Sequence, residues 1–289
     1  MKYKSKTLLT GFTLVELLTT LAVIGVLLAL LIPALNQVTK TAANVKQRGQ
    51  FHAIGVALEA FRSDTGDYPP SQWNPAVYGN YTASQRLAEA IIGQDGFGFH
   101  PASQFRADGT VDGTPATALY APAVDVTANP DNLKLRKGPY LELENANAVK
   151  LGSLYGTAAA PLVDTYILAD MYKITKNLAT GKMTGMPILY YKANRLKSRH
   201  AFEAADNETT IAQLNTYNVY DSINGIAAKP NAAYHPLYAN PGWFYGQTAN
   251  PNFTSPPRPY RAESFLLHSA GPDGRYGTSD DVFNFEQEK

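Results

Sequence analysis

A single carboxylate, Glu16, is the only ionisable side chain in the 24 residues from Phe12 to Leu35. A charge inside so apolar a run is costly unless it is paired, hydrated or protonated, so Glu16 calls for a chemical reason. A snorkelling carboxylate at the interface of a plain signal anchor is the simplest one. The second group with chemical potential lies near the other end, where Ser269 to Asp281 form a turn-rich string containing Asp273, Asp280 and Asp281 together with several hydroxyls. Hard oxygen donors at flexible spacing suit calcium. The string is not an EF-hand: counted from Asp273, the third and fifth positions are Arg275 and Gly277, and the twelfth is Asn284. A solvated acidic turn is the plain alternative, since Asp-Gly and Ser-Asp-Asp are common loop chemistry.

Other reactive residues point away from catalysis. The histidines His52, His100, His200, His235 and His268 show no i, i+4 pair and no H-E-x-x-H, which argues against a zinc hydrolase. The chain lacks cysteine, so disulfides, thiolate metal sites and a thiol nucleophile are excluded. No G-x-S-x-G, P-loop or dinucleotide fingerprint is present, and isolated carboxylates such as Glu142 and Glu144 nominate no acid-base pair. Asp108 to Gly113 reads as two turns, because Leu119 stands where a loop-closing carboxylate would be needed. We expect no enzyme.

Charge says little about partners: 25 Lys and Arg face 24 Asp and Glu, giving a net charge of +1. Such a balance sets up no bulk field for nucleic acid. The cluster Lys192, Arg195, Lys197 and Arg199 is read as a solvated strand end, and no nucleic-acid partner is expected.

These groups must be positioned by recognisable elements. At about 1.5 Å per residue, a helix over 12–35 crosses about 30 Å of hydrocarbon. Lys2, Lys4 and Lys6 precede it, so the short N-terminus belongs in the cytoplasm and the rest on the far side, as a single-pass protein. The only small residue at a junction, Gly11, stands before the apolar run, so a cut there would keep the anchor. Phe12 would then carry an α-amine four residues from Glu16, which a staggered neighbour could offer to this anion. Pro33 should kink or locally melt the helix. Beyond it, Val38, Ala42, Val45 and Gly49, then Ile54, Leu58 and Phe61, mark an apolar stripe expected to pack on a folded domain. Ser63 to Pro70 should end the helix.

The segment Gly11-Phe12-Thr13-Leu14-Val15-Glu16-Leu17-Leu18 resembles the processing site of type IV pilins and type II secretion pseudopilins. The Ser-x-Gly-x-Asp-Gly start at Ser269, and the Gly-x-Tyr-Pro at Gly66, are similar to segments of the major pseudopilins. The resemblance implies cleavage after Gly11 by prepilin peptidase, N-methylation of Phe12, guidance of assembly by Glu16, and a proline-linked melted stretch in the packed fibre. It also implies calcium held by Asp273, Asp280 and Asp281 with Ser269, in a loop spanning 269–282.

The implied partners are further copies of this chain in a homopolymer, the inner-membrane secretion platform and minor pseudopilins. The implied location is the inner membrane, with the C-terminal domain periplasmic. The expected organisation is a leader 1–11, a transmembrane polymerisation helix 12–35, an amphipathic helix 36–66 and a periplasmic domain 67–289. The expected fold is α+β, the pilin fold: a long N-terminal helix packed on a C-terminal antiparallel sheet, with a large loop-rich insertion.

Within that domain, strands are expected over Met186–Ala193 and Ser264–Ser269, pairing antiparallel. Short helices are expected at Leu87 to Ile92, capped by Ser84, and around Ile211 and Leu214. Residues 224–259 read as either a long ordered excursion or a mobile loop, and 75–180 carry no legible pattern. Two other functions remain open at this point. One is a surface type IV pilin for adhesion, motility or DNA uptake; the other is a membrane-tethered binding domain that does not polymerise and so has no need of Glu16.

Overall fold

The computed structural model describes residues 13–72, 81–113, 116–121, 123–155, 164–194, 202 and 241–286. The chain divides into two compact units between Asn44 and Val45. The element spanning that boundary is α1, a 52-residue helix, Leu14–Thr65. It runs without interruption through Pro33, so the expected local melting there is absent. A single proline removes one backbone donor, and the surrounding Leu, Ile and Ala residues are strong enough helix formers to carry the turn. Gly66, at φ +90°, ends the helix and returns its N–H to the Arg62 carbonyl at 2.8 Å.

In the second unit the buried face of α1 comprises Gln47, Gln50, Phe51, Ile54, Ala57, Leu58 and Phe61. The later half of the expected stripe is therefore present. Val45, the member of its earlier half that opens this unit, is 65% exposed. The burial instead begins with two glutamines. Gln50 Nε2 donates to the carbonyls of Ala146 and Ala169, and Gln47 Oε1 accepts the Met171 N–H.

The next helix, α2 (Ala83–Ile92), is buried on every side. Its cap is Thr82, not Ser84: the Thr82 hydroxyl accepts from Gln85 N, and the Gln85 side chain returns to the Thr82 N–H. That reciprocal box leaves Ser84 in the first turn. Burial of Glu89 is satisfied by Ser103, Gln94 and Tyr120, all of which donate to its carboxylate.

The region unread in the sequence is built from short pieces. Strands β1 (Thr110–Val111) and β2 (Thr117–Ala118) form a small antiparallel ladder, so the middle of the Asp108 to Gly113 stretch, expected as two turns, is strand. Two single-turn helices, α3 (Pro130–Leu135) and α4 (Leu143–Ala146), lead to β3 (Ala148–Lys150), α5 (Leu151–Tyr155) and β4 (Tyr166–Leu168), with β3 and β4 antiparallel. A further ladder joins β5 (Thr175–Lys176) to β6 (Met183–Thr184).

Strand β7 (Leu189–Lys192) then enters the main sheet. The expected excursion or loop contains α6 (Pro241–Thr248) and the hairpin β8 (Ala249–Thr254) with β9 (Pro257–Pro259). The last strands are β10 (Phe265–Ser269) and β11 (Val282–Phe283). The sheet order is β11-β10-β7, antiparallel throughout, with Leu266 opposite Tyr191 and Leu267 opposite Tyr190.

Both faces of this sheet are covered. Ile188, Tyr190, Phe265 and Leu267 pack with Phe51, Ile54 and Leu58 of α1 and with Leu87 and Ile91 of α2. Leu189, Tyr191 and Leu266 face a second cluster containing Phe244, Tyr276 and Phe283. Two-sided burial explains why both strands read as unbroken apolar runs and not as an alternation. The architecture is α+β, with a long apolar N-terminal helix and small antiparallel sheets.

Candidate functional site

Glu16 sits in the first turn of α1. Its Oε2 accepts the Thr13 N–H at 2.9 Å and the Thr13 hydroxyl at 2.8 Å, while the Glu16 N–H donates to Thr13 Oγ1 at 3.2 Å. This is a reciprocal capping box, written in the sequence as Thr-x-x-Glu. Within a single chain, therefore, the carboxylate satisfies its own helix end. Gly11 and Phe12 lie outside the described residues. The helix carries one stretch long and apolar enough to cross a membrane, none of it buried.

The acidic loop runs from the end of β10 to β11. Gly271 lies at φ +69°, and a Cβ there would meet the Asp280 carbonyl at 2.1 Å, so the two ends of the loop close on each other only through glycine. The closure continues in side chains. Asp280 Oδ2 accepts the Asp273 N–H at 3.2 Å, and Asp280 Oδ1 accepts the Thr278 hydroxyl at 2.8 Å. Asp281 Oδ2 accepts the Gly277 N–H at 2.7 Å and lies 2.5 Å from His268 Nε2. The side chains of His268 and Asp281 are 0% and 1% exposed. The His268 ring stacks on Phe283 with centroids 4.4 Å apart. This pair was missing from the sequence reading.

Ser269 is committed to a residue that the sequence did not single out. Its hydroxyl donates to Asp170 Oδ2 at 2.7 Å, and its oxygen accepts the Gly271 N–H at 3.2 Å. Asp170 Oδ1 accepts the N–H groups of Met186 and Tyr172 at 3.1 and 3.2 Å. Burial pushes the Asp170 carboxyl up to about 7, against the opposing effect of these donors. Asp273 is also raised, first by burial and then by the charges of Asp280 and Asp281.

The fit to calcium is therefore divided. The chemistry of the donors suits a hard cation, and the mutual repulsion felt at Asp273 is what a cation would relieve. The Ser269 oxygen, however, is occupied by Asp170 and Gly271. Among the described residues, no three His, Asp or Glu side chains converge as a metal-binding group.

Of the basic cluster, Lys192 Nζ lies 2.5 Å from Asp67 Oδ2, tying the end of β7 to the segment after α1. Its other members, together with His200, His235 and the helix expected near Ile211, lie outside the described residues. Neither a family model, a curated protein nor a solved structure matches the chain.

Proposed function

We propose that the chain is a structural subunit of a type II secretion pseudopilus: processed after Gly11, methylated at Phe12, held in the inner membrane by α1 and polymerised into a periplasmic fibre. The observation that carries this reading is the composition of α1. One unbroken helix bears an exposed apolar run containing only Glu16, then turns a buried face with Phe51, Ile54 and Leu58 to an antiparallel sheet. An anchor that only tethers needs the apolar run, and of Glu16 it needs no more than the helix cap.

Assembly gives Glu16 a second role beyond its cap. In a staggered fibre its charge meets the α-amine of a neighbour's Phe12, and the exposed leucines of one helix cover those of the next. The domain built around the sheet acts by packing and display, without catalysis. Calcium belongs to the same proposal, with Asp273, Asp280 and Asp281 as its carboxylate donors. When bound, the ion would neutralise like charges and hold the loop to β10 and β11.

The test is the protein content of culture supernatant from a strain lacking this gene, compared with its parent. Loss of several exported proteins is the expected result. An unchanged supernatant overturns the secretion role and leaves the surface-pilus and tethered-binder readings.

A further inference from the structure

A cavity of about 510 Å³ opens in the second unit between α1 and the chain that follows β11. Four phenylalanines line it, Phe51 from α1, Phe265 from β10, and Phe283 and Phe285 beside them, together with the charged Arg48, Glu59, Arg261 and Glu286. The volume falls in the range of small-molecule sites, where apolar walls bury most of the ligand and a few polar groups orient it.

The polar groups here are unequally matched. Glu59 accepts the Tyr68 hydroxyl at 2.5 Å and has Arg62 at 3.6 Å. Arg48 pairs with Glu286, but both side chains are more than half exposed, so that pair is weak and readily exchanged. Arg261 differs from both. Its guanidinium lies over the Phe265 ring at 5.1 Å, and its polar contact among the described residues is a long one, 3.5 Å to the Asn284 carbonyl. Its backbone adopts φ +54°, a conformation that disfavours a side chain, and such local strain collects at ligand clamps. The arrangement holds a cation against an aromatic wall, and among the described residues the two carboxylates of the same lining, Glu59 and Glu286, are paired with Arg62 and Arg48 and not with Arg261.

We propose that this cavity binds a carboxylate carried on an apolar body, with the anion at Arg261 and the apolar part among the four phenylalanines. Arg48 lies on the same rim and can contribute by releasing Glu286. Two sources share this chemistry: a free aromatic acid and the C-terminal residue of an apolar peptide. The proposal does not depend on the pseudopilin reading.

The test uses the full chain in nanodiscs, with saturation-transfer NMR titrations corrected against empty discs. The probes are 3-phenylpropionate, its neutral counterpart 3-phenylpropanol, and N-acetyl-Gly-Phe with a free or amidated C-terminus. The acids should bind saturably, with Kd on the order of millimolar for so small a ligand. The alcohol and the amide should bind about tenfold more weakly, the loss expected for one charge-assisted contact. The tighter of the two acids identifies the source.

Arg261→Asn tolerates the left-handed backbone and removes the cation, so it should keep the melting temperature while losing acid binding about tenfold. Arg48→Gln, at an exposed position, serves as a second variant and should weaken the acids by a smaller factor. Equal binding of acid and alcohol, unchanged binding in Arg261→Asn, or no saturable signal from either acid would each overturn the proposal.

Discussion

The Ser269 hydroxyl donates to the Asp170 carboxylate at 2.7 Å, joining residues 99 positions apart and fastening the acidic loop to the segment that follows β4. Asp170 is fully enclosed, and that burial makes its charge a liability. Its neutral form is favoured up to about pH 7 in the folded chain, against about 3.8 when exposed.

The sign of the resulting pH dependence follows from proton counting. Between those two values the folded state holds a proton that the unfolded state has lost, so stability falls as pH rises through the interval. The full penalty, on the order of a few kcal/mol, is present above the folded value. Asp170→Asn keeps the acceptor for Met186 and Tyr172 and removes the titration. In chelator, its melting temperature should gain on the native chain from pH 5 to pH 8, by several degrees in all. A constant difference across that range would refute the assignment.

A second prediction concerns Arg136 and Asp95, whose side chains are 2% and 3% exposed and 3.0 Å apart. Arg136 also donates to the carbonyls of Gly98 and Leu119 and stacks over Tyr120 at 4.4 Å. Arg136→Met should cost about 3–5 kcal/mol, because it strands a buried carboxylate and two carbonyls. Asp95→Asn should cost less, since the guanidinium keeps its other acceptors. Urea unfolding of both variants decides it; an unshifted midpoint for Arg136→Met would show that the pair contributes nothing.

Glu16 can be asked which of its two roles matters. Glu16→Gln preserves the cap to Thr13 and removes the charge, whereas Glu16→Val removes both. If subunits assemble through that charge, cleavage after Gly11 should persist in both variants while incorporation into fibres fails in both. Normal fibres from Glu16→Gln would reduce the residue to a helix cap, and normal fibres from Glu16→Val would end the assembly proposal.

Calcium is tested by the increment it adds. The native chain should melt higher in calcium than in chelator, by about 2.7 kcal/mol of added stability at a hundredfold excess over Kd. Asp273→Asn should lose most of that increment while leaving the Asp281 to His268 pair in place. Identical melting of the native chain in calcium and chelator would remove the metal.

The sequence by itself determined the long apolar helix, the lone Glu16 within it, a stop between Ser63 and Pro70 and the two apolar runs that pair as β7 and β10. Those features are carried by local composition, length and period, which survive without tertiary context. The Thr-x-x-Glu cap was also written there, though the apolar setting drew attention to the charge and not to the box.

Only the tertiary structure decided that Ser269 turns to Asp170, that His268 meets Asp281, and that α1 turns its buried face at Gln47 and not at Val45. Each of these depends on segments brought together from far apart in the chain, or on which side of a helix happens to be covered. A hydrogen bond between distant side chains leaves no periodicity in the sequence. The partner of a buried polar group is settled by desolvation, which acts once the surrounding surfaces have closed.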